Sequence, residues 1–334
     1  MATFEEVFAN LGPKHKKQVS SAMEIAPERL PTPSVGLNIA LGGGFGMGRI
    51  VTLWGDKSAG KTAIALQTIA EAQANGKVCA FLDVEGTYDS AWAGRLGVDN
   101  ENILYAPFRS VERVTDVAVD MINAGADIIV IDSITALVPG SYLDEGEFKG
   151  FKSTGKIGAD AMDTGKMLKS LNMAMEDKNT LVILISQQRM GQKGSMYWGF
   201  TKSGGQAVDF YSSQIVRLSS TSGKANMIED GVAKGDIILQ EPSGRKVHWT
   251  VEFNKLGPQW GTGDYDFYFQ GEKLGVDTVG EIADLAVKYQ IVTKAGKWIK
   301  YADEQFDGRK ELLARLRSDE AFYDKIEGEL LGRI

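Results

Sequence analysis

The chain has 334 residues, enough for one domain of about 200 to 250 residues with a smaller unit beside it. Hydrophobic residues make up 43% and charged ones 24%, an ordinary globular balance that sets aside collagen-like, low-complexity and disordered classes. A formal net charge of −7 argues against indiscriminate nucleic-acid binding while leaving room for local basic patches, and one cysteine with two histidines excludes a disulfide framework and speaks against a zinc site. No leader-like or membrane-length apolar run is visible, so the expected location is the cytoplasm.

In chain order, Phe4 to Leu11 carries a short helical pattern, the basic run Lys14 to Lys17 follows, and Pro31 and Pro33 close the segment like a linker. We expect an N-terminal segment over 1–32. From Val35 to about Gly261 strand-like and helix-like segments alternate, which predicts an α/β core over 33–262 with a mainly parallel twisted sheet flanked by helices. The predicted strands cover 49–54, 78–83, 103–106, 128–132, 180–186 and 214–219. Ile237 to Gln240 and Lys246 to Asn254 read as a hairpin turning at Pro242 to Arg245. Cys79 lies in the apolar run Val78 to Leu82 and reads as a buried thiol. Beyond Gly263 the texture changes to helices over 278–289, 310–317 and 319–331 with a β element at 297–301, a small α+β unit over 263–334.

The most specific motif is Gly55, Asp56, Lys57, Ser58, Ala59, Gly60, Lys61, Thr62, which fits G-x-x-x-x-G-K-[ST] between a strand-like and a helix-like run. Its backbone amides, with Ala63 following, are suited to cradle phosphates; Lys61 brings a point charge to the β/γ-phosphates, and the Thr62 hydroxyl can ligate Mg²⁺. Ile128 to Ile131 followed by Asp132 is an apolar strand ending in an acid, the form of a metal-directing carboxylate. Phe81 to Glu85 ends the neighbouring strand with two acids, Asp83 and Glu85, either of which could orient the attacking water. After the apolar run 181–185 comes Ser186-Gln-Gln-Arg189, where an amide could sense a γ-phosphate. Residues 190–205 show little helix or strand pattern. Arg189, Lys193 and Lys202 are interleaved there with Tyr197, Trp198 and Phe200, a set that suits single-stranded nucleic acid or a loop folded on its own protein. The segment 146–158 repeats the chemistry with Lys149, Lys152, Lys156 and two phenylalanines, which favours nucleic acid.

Together these residues resemble the RecA recombinase family. The resemblance runs through Leu37 to Ile50, Gly86 to Asp99, Ile129 to Pro139, Ser203 to Ser213 and Ala283 to Tyr301, and so covers roughly residues 30–334. It implies a RecA-type P-loop NTPase core, ATP and Mg²⁺ as ligands, and a DNA-dependent ATPase. Such an enzyme forms a helical filament on single-stranded DNA and exchanges strands with homologous double-stranded DNA. It also implies that Glu85 handles the catalytic water, Asp132 the metal, and Gln187 the coupling between γ-phosphate and DNA. Asp89 and Trp92 match positions flanking adenine. Lys255 matches a lysine that reaches the nucleotide of the adjacent subunit, and Met196 and Tyr197 fall at the tip of the second DNA loop. Residues 1–30 would dock on a neighbouring protomer. Two positions depart from the family: Phe253 stands where a second lysine is expected, and Ala63 where a second hydroxyl is common.

Overall fold

The computed structural model describes residues 2–16, 27–140, 143–144, 147–148, 159–193, 197–220, 227–234, 237–271 and 274–333. Two short helices open the chain, α1 (Phe4–Ala9) and α2 (Pro13–Lys16); β1 (Arg29–Leu30) and β2 (Phe45–Gly46) then pair around α3 (Val35–Leu41). A capping box between Thr3 and Glu6 starts α1, yet the helix buries none of its residues and leaves Phe4 and Val7 exposed.

Alternation follows: β3 (Ile50–Gly55), α4 (Lys61–Ala74), β4 (Cys79–Asp83), α5 (Ser90–Arg95), β5 (Ile103–Ala106), α6 (Val111–Ala124) and β6 (Ile128–Asp132). A two-residue pair, β7 (Leu143–Asp144) and β8 (Glu147–Phe148), precedes α7 (Ala159–Ala174), β9 (Leu181–Lys193), β10 (Tyr197–Lys202), α8 (Gly205–Tyr211) and β11 (Gln214–Ser219). The sheet is completed by β12 (Met227–Lys234), β13 (Ile237–Asn254), β14 (Thr262–Tyr268) and β15 (Gly275–Val276). Its order is β15-β14-β13-β11-β3-β9-β6-β4-β5, with β10 added to β9 and β12 to β13. The six strands from β11 to β5 are parallel, and β13, β14 and β15 extend the sheet antiparallel.

β3, β4 and β6 are buried at every position and mostly apolar because helices cover both faces of the sheet. Register sorts their side chains by parity: Val51, Ile183, Val130 and Phe81 form one row against the α4 side, while Leu184, Ile131 and Leu82 form the next row against α6 and α7. A truncation such as Ile131→Ala would remove a fully buried side chain, a change that costs about 2 to 5 kcal/mol in packed cores. The same register brings the last residues of β3, β4 and β6 level with Ile185 to Gln187 of β9, where polar residues gather.

Two local expectations are corrected. Residues 190–202 are not patternless: β9 continues to Lys193 and β10 returns antiparallel, Tyr197 opposite Lys193 and Lys202 opposite Gln188. Glycines at 191 and 199 interrupt the apolar alternation while the backbone pairing persists. Pro242 to Arg245 make no hairpin turn either. They lie inside the continuous β13, where a register shift opposite Ile228 and Glu229 accommodates the proline as a bulge, and the antiparallel partner is β12.

The C-terminal elements are α9 (Thr278–Lys288), β16 (Thr293–Ala295), β17 (Trp298–Tyr301), β18 (Glu304–Asp307), α10 (Gly308–Ser318) and α11 (Glu320–Leu331). They enclose a core of their own with Ile282, Ala286, Phe306, Leu312, Phe322 and Ile326, which Val35 of α3 joins. The textural change near Gly263 falls inside β14, a strand of the large sheet, so composition changes before the sheet ends.

Candidate nucleotide site

The loop between β3 and α4 is shaped by backbone demands. Gly55 has φ 142°, and a Cβ there would sit 1.7 Å from the Leu218 carbonyl oxygen, so only glycine fits. Gly60, at φ 85°, is the N-cap of α4 and gives it no side-chain cap; the first-turn amides are therefore available to an anion. Lys61 is buried, and its Nζ donates to the carbonyls of Gly55 at 3.2 Å and Asp56 at 2.7 Å. Burial lowers the Lys61 pKa, opposed by the carboxylates of Asp132, Asp56 and Glu85.

At the end of β6, Asp132 accepts a hydrogen bond from Thr62 Oγ1 at 2.6 Å. Burial pushes its pKa up to about 6; the Thr62 bond works against this, and the charges of Glu85 and Asp83 add to it. Such a carboxylate favours a cation beside it. The Asp132–Ser133 peptide bond is cis.

The two acids after β4 part company. Asp83 is buried and accepts from the amides of Gly86 (2.8 Å), Thr87 (3.1 Å) and Tyr88 (3.0 Å) and from Tyr105 Oη (3.1 Å), which commits it to shaping the turn. Glu85 reaches the cleft instead and accepts from Gln187 Nε2 at 2.7 Å and from Ser133 Oγ. Gln187 is held in turn: its amide donates to Thr135 Oγ1 at 2.9 Å, and Thr135 Oγ1 donates to Ser203 Oγ at 3.1 Å. The Ser203 amide donates to Ser186 Oγ at 2.9 Å, so a polar chain joins Glu85 to the foot of β10.

These groups surround a cleft of about 440 Å³ lined by residues 57–63, Glu85, Trp92, Asp132, Ile185, Gln187, Arg245, Phe267 and Phe269. Trp92 forms a wall. Asp89 does not line the cleft; it is the N-cap of α5 and accepts from the Trp92 amide at 3.1 Å, so it acts on the site through the position of that ring. Ser133, Arg245, Phe267 and Phe269 were not foreseen. Ser133 could have been suspected from its place after Asp132, but the other three come from β13 and the end of β14, and no motif marks them.

The basic candidates are dispersed. Arg189 is exposed and donates to the Thr135 carbonyl at 3.0 Å. Lys202 pairs with Asp209 at 2.5 Å and lies over the Trp54 ring, so it is folded against its own chain. Lys255 donates to the Phe210 carbonyl at 2.9 Å and sits over Phe253, beside the 72% exposed Phe210 and away from its own cleft. Lys149, Lys152, Lys156 and Met196 lie outside the described residues, as do the side chains of Lys193 and Tyr197.

The RecA N-terminal domain family matches residues 4–270. The chain belongs to the RecA family. Among curated relatives, Protein RecA of Chloroherpeton thalassium is 37% identical over 303 residues, covering 90% of this chain and 79% of that protein. Protein RecA of Campylobacter lari is 36% identical over 323 residues, covering 95% and 85%. Protein RecA of Wolinella succinogenes is 34% identical over 315, covering 92% and 83%. Membership carries the family's activity: the chain is a DNA-dependent ATPase and recombinase of homologous recombination and DNA repair. Among the described residues no helix is long and apolar enough to cross a membrane.

Proposed function

We propose that the cleft binds ATP with Mg²⁺ and that hydrolysis there controls a helical filament on single-stranded DNA, within which homologous double-stranded DNA is paired and exchanged. The observation that carries this reading is the strand β9. It places Gln187 against Glu85 in the cleft and runs without a break into the β9–β10 hairpin that holds Arg189, Lys193, Tyr197 and Lys202.

The residues present fit both ligands. The uncapped first turn of α4 and the Lys61 ammonium suit a polyphosphate, and Thr62 with Asp132 offers a hydroxyl and a carboxylate 2.6 Å apart to a hard cation. No group of three or more His, Cys, Asp or Glu among the described residues could hold a metal, which suits an ion shared with phosphate oxygens and water. When bound, Mg²⁺ supplies positive charge to the phosphate oxygens during transfer. Residues 55–63 hold the phosphates, Lys61 neutralises the β/γ oxygens, and Trp92 packs on the base, with Asp89 fixing its helix. Glu85 orients a water and accepts its proton, and Gln187, bonded to the same carboxylate oxygen as Ser133, reports the change along β9. Lys255 serves the nucleotide of a neighbouring protomer, and the exposed Phe4 and Val7 of α1 dock on one. Lys149, Lys152, Lys156, Arg189, Lys193, Met196, Tyr197 and Lys202 form the DNA-binding set. The working location is the cytoplasm. The division is an N-terminal segment over 1–32, the ATPase core, and a C-terminal unit whose start we move from 263 to 277, after β15.

The test measures phosphate release with and without single-stranded DNA. Wild type should be stimulated, and Lys61→Ala and Lys255→Ala should each lose the stimulated rate. Their mixture should recover part of it, because mixed interfaces pair an intact Lys61 with an intact Lys255. A mixture no more active than its components, despite co-assembly by electron microscopy, would reject the shared site.

A further inference from the structure

Arg245 stands in the cleft without any motif to announce it. It lies on β13 opposite Phe267 of β14, next to the bulge that absorbs Pro242. Its Nη1 donates to the carbonyl of Ser58 at 2.7 Å, a contact spanning 187 positions in sequence, and its guanidinium lies 5.8 Å from the centre of the Phe269 ring. Ser58 is the phosphate-loop residue held at φ 60°, a left-handed conformation that a non-glycine residue adopts only when its surroundings enforce it. Arg245 supplies one such constraint, and it does so in a cleft that Lys57, Lys61, Phe267 and Phe269 also line.

A guanidinium has five N–H donors in a planar fork. One is used on Ser58, and among the described residues no other hydrogen bond or ion pair of this side chain is seen. Glu85 and Asp132 share the cleft with Lys57 and Lys61, and among the described residues neither carboxylate bonds Arg245; a planar fork with donors left over matches the oxygens of a phosphate chain.

We propose that Arg245 is a nucleotide-binding residue of this enzyme. It sets the phosphate loop through Ser58 and contributes a cation, held over the Phe269 ring, to the polyphosphate of the bound nucleoside phosphate. This rests on the cleft being the nucleotide site. It adds a binding group from β13, so that nucleotide occupancy is felt by the strand that carries Lys255 just beyond its end, as well as by β9.

The test is equilibrium binding of ADP with Mg²⁺ and no DNA, by titration calorimetry, for wild type, Lys61→Ala, and Arg245→Lys, Arg245→Gln and Arg245→Ala. Removing a charge-assisted contact weakens binding about tenfold or more. Arg245→Ala and Arg245→Gln should both show that loss, and Arg245→Lys, which keeps the charge without the fork, should lie between them and wild type. Wild-type affinity in Arg245→Gln would reduce the residue to a tether for Ser58 and overturn the proposal, as would wild-type affinity in all three. Thermal unfolding of each variant without nucleotide checks folding, and if Arg245→Ala does not fold, the Lys and Gln variants decide alone. Should Lys61→Ala also bind ADP normally, it is the reading of the cleft that fails; a weakened Lys61→Ala beside unaffected Arg245 variants rejects Arg245 only.

Discussion

Two buried carboxylates, Asp132 in the candidate nucleotide cleft and Glu281 at the foot of the C-terminal unit, have almost the same exposure and opposite surroundings. Asp132 is 4% exposed, takes one side-chain hydrogen bond among the described residues, from Thr62, and faces two other acids with one lysine. Glu281 is 6% exposed and accepts three: Ser34 Oγ at 2.7 Å, the Val35 amide at 2.9 Å and the Gly36 amide at 3.1 Å. It thereby closes the N-terminus of α3 from across the chain, and its oxygens are committed to donors that would otherwise be orphaned. The first carboxylate is left under-satisfied and so is ready for a cation; the second is saturated and so is structural. Burial alone does not distinguish a working acid from a binding post. The number of donors aimed at it does.

The largest expected effect tests the working side. Glu85→Gln should slow ATP hydrolysis by about 10² or more, the scale of losing a general base, while nucleotide and DNA binding persist. Asp83→Asn should instead weaken the turn after β4, because an amide cannot accept from three backbone N–H groups as the carboxylate does. Steady-state phosphate release and thermal unfolding of both variants separate these outcomes. Slow turnover in Asp83→Asn with normal turnover in Glu85→Gln would exchange the two roles.

The binding post gives the mirror image. Glu281→Ala strands the amides of Val35 and Gly36 and the hydroxyl of Ser34, each buried, and should destabilise the protein by about 2 to 3 kcal/mol. Turnover of the folded fraction should stay at wild-type level. Denaturant unfolding monitors the first and phosphate release the second; a stable but inactive Glu281→Ala would erase the distinction.

This difference explains what could be read in advance. The phosphate loop, Asp132 and the central strands were legible because each is a local pattern: a spaced motif, or an apolar run ending in an acid. The limits of β5, β6 and β11 fell where expected for that reason. The choice between Asp83 and Glu85 was not legible, since it depends on which carboxylate meets the amides of residues 86 to 88. Nor was Arg245, whose contact with Ser58 spans 187 positions and is brought about by the place of β13 in the sheet, which no local pattern encodes. The hairpin read at Pro242 failed because a bulge uses the same residues as a turn, and the β9–β10 pair was missed because aromatic and glycine residues hid its alternation.

The smallest effect is also the most diagnostic of how Glu281 is held. Burial pushes its carboxyl up to about 7, against the three donors that favour the ionised form, with the charge of Asp284 adding to the rise. Asp284 is itself engaged by Arg309 at 2.7 Å, and Tyr265 and Tyr323, which feel the Glu281 charge, are both raised by burial further above the neutral range. In the unfolded chain the Glu281 carboxyl titrates near its ordinary value of 4.5. Between these two values the folded protein keeps a proton that the unfolded chain has released, so raising the pH favours unfolding. The contribution is whole below about 4.5 and is lost as pH rises through about 7. One proton gives a slope of at most about 1.4 kcal/mol per pH unit. Glu281→Gln removes the titration while keeping the shape, and groups elsewhere cancel when the two proteins are compared. The stability of wild type minus that of Glu281→Gln, from urea unfolding at half-unit steps, should therefore fall between about pH 4.5 and pH 7 and level off above. A difference that is flat, or that rises with pH, would mean that the three donors outweigh burial and that Glu281 is ionised throughout.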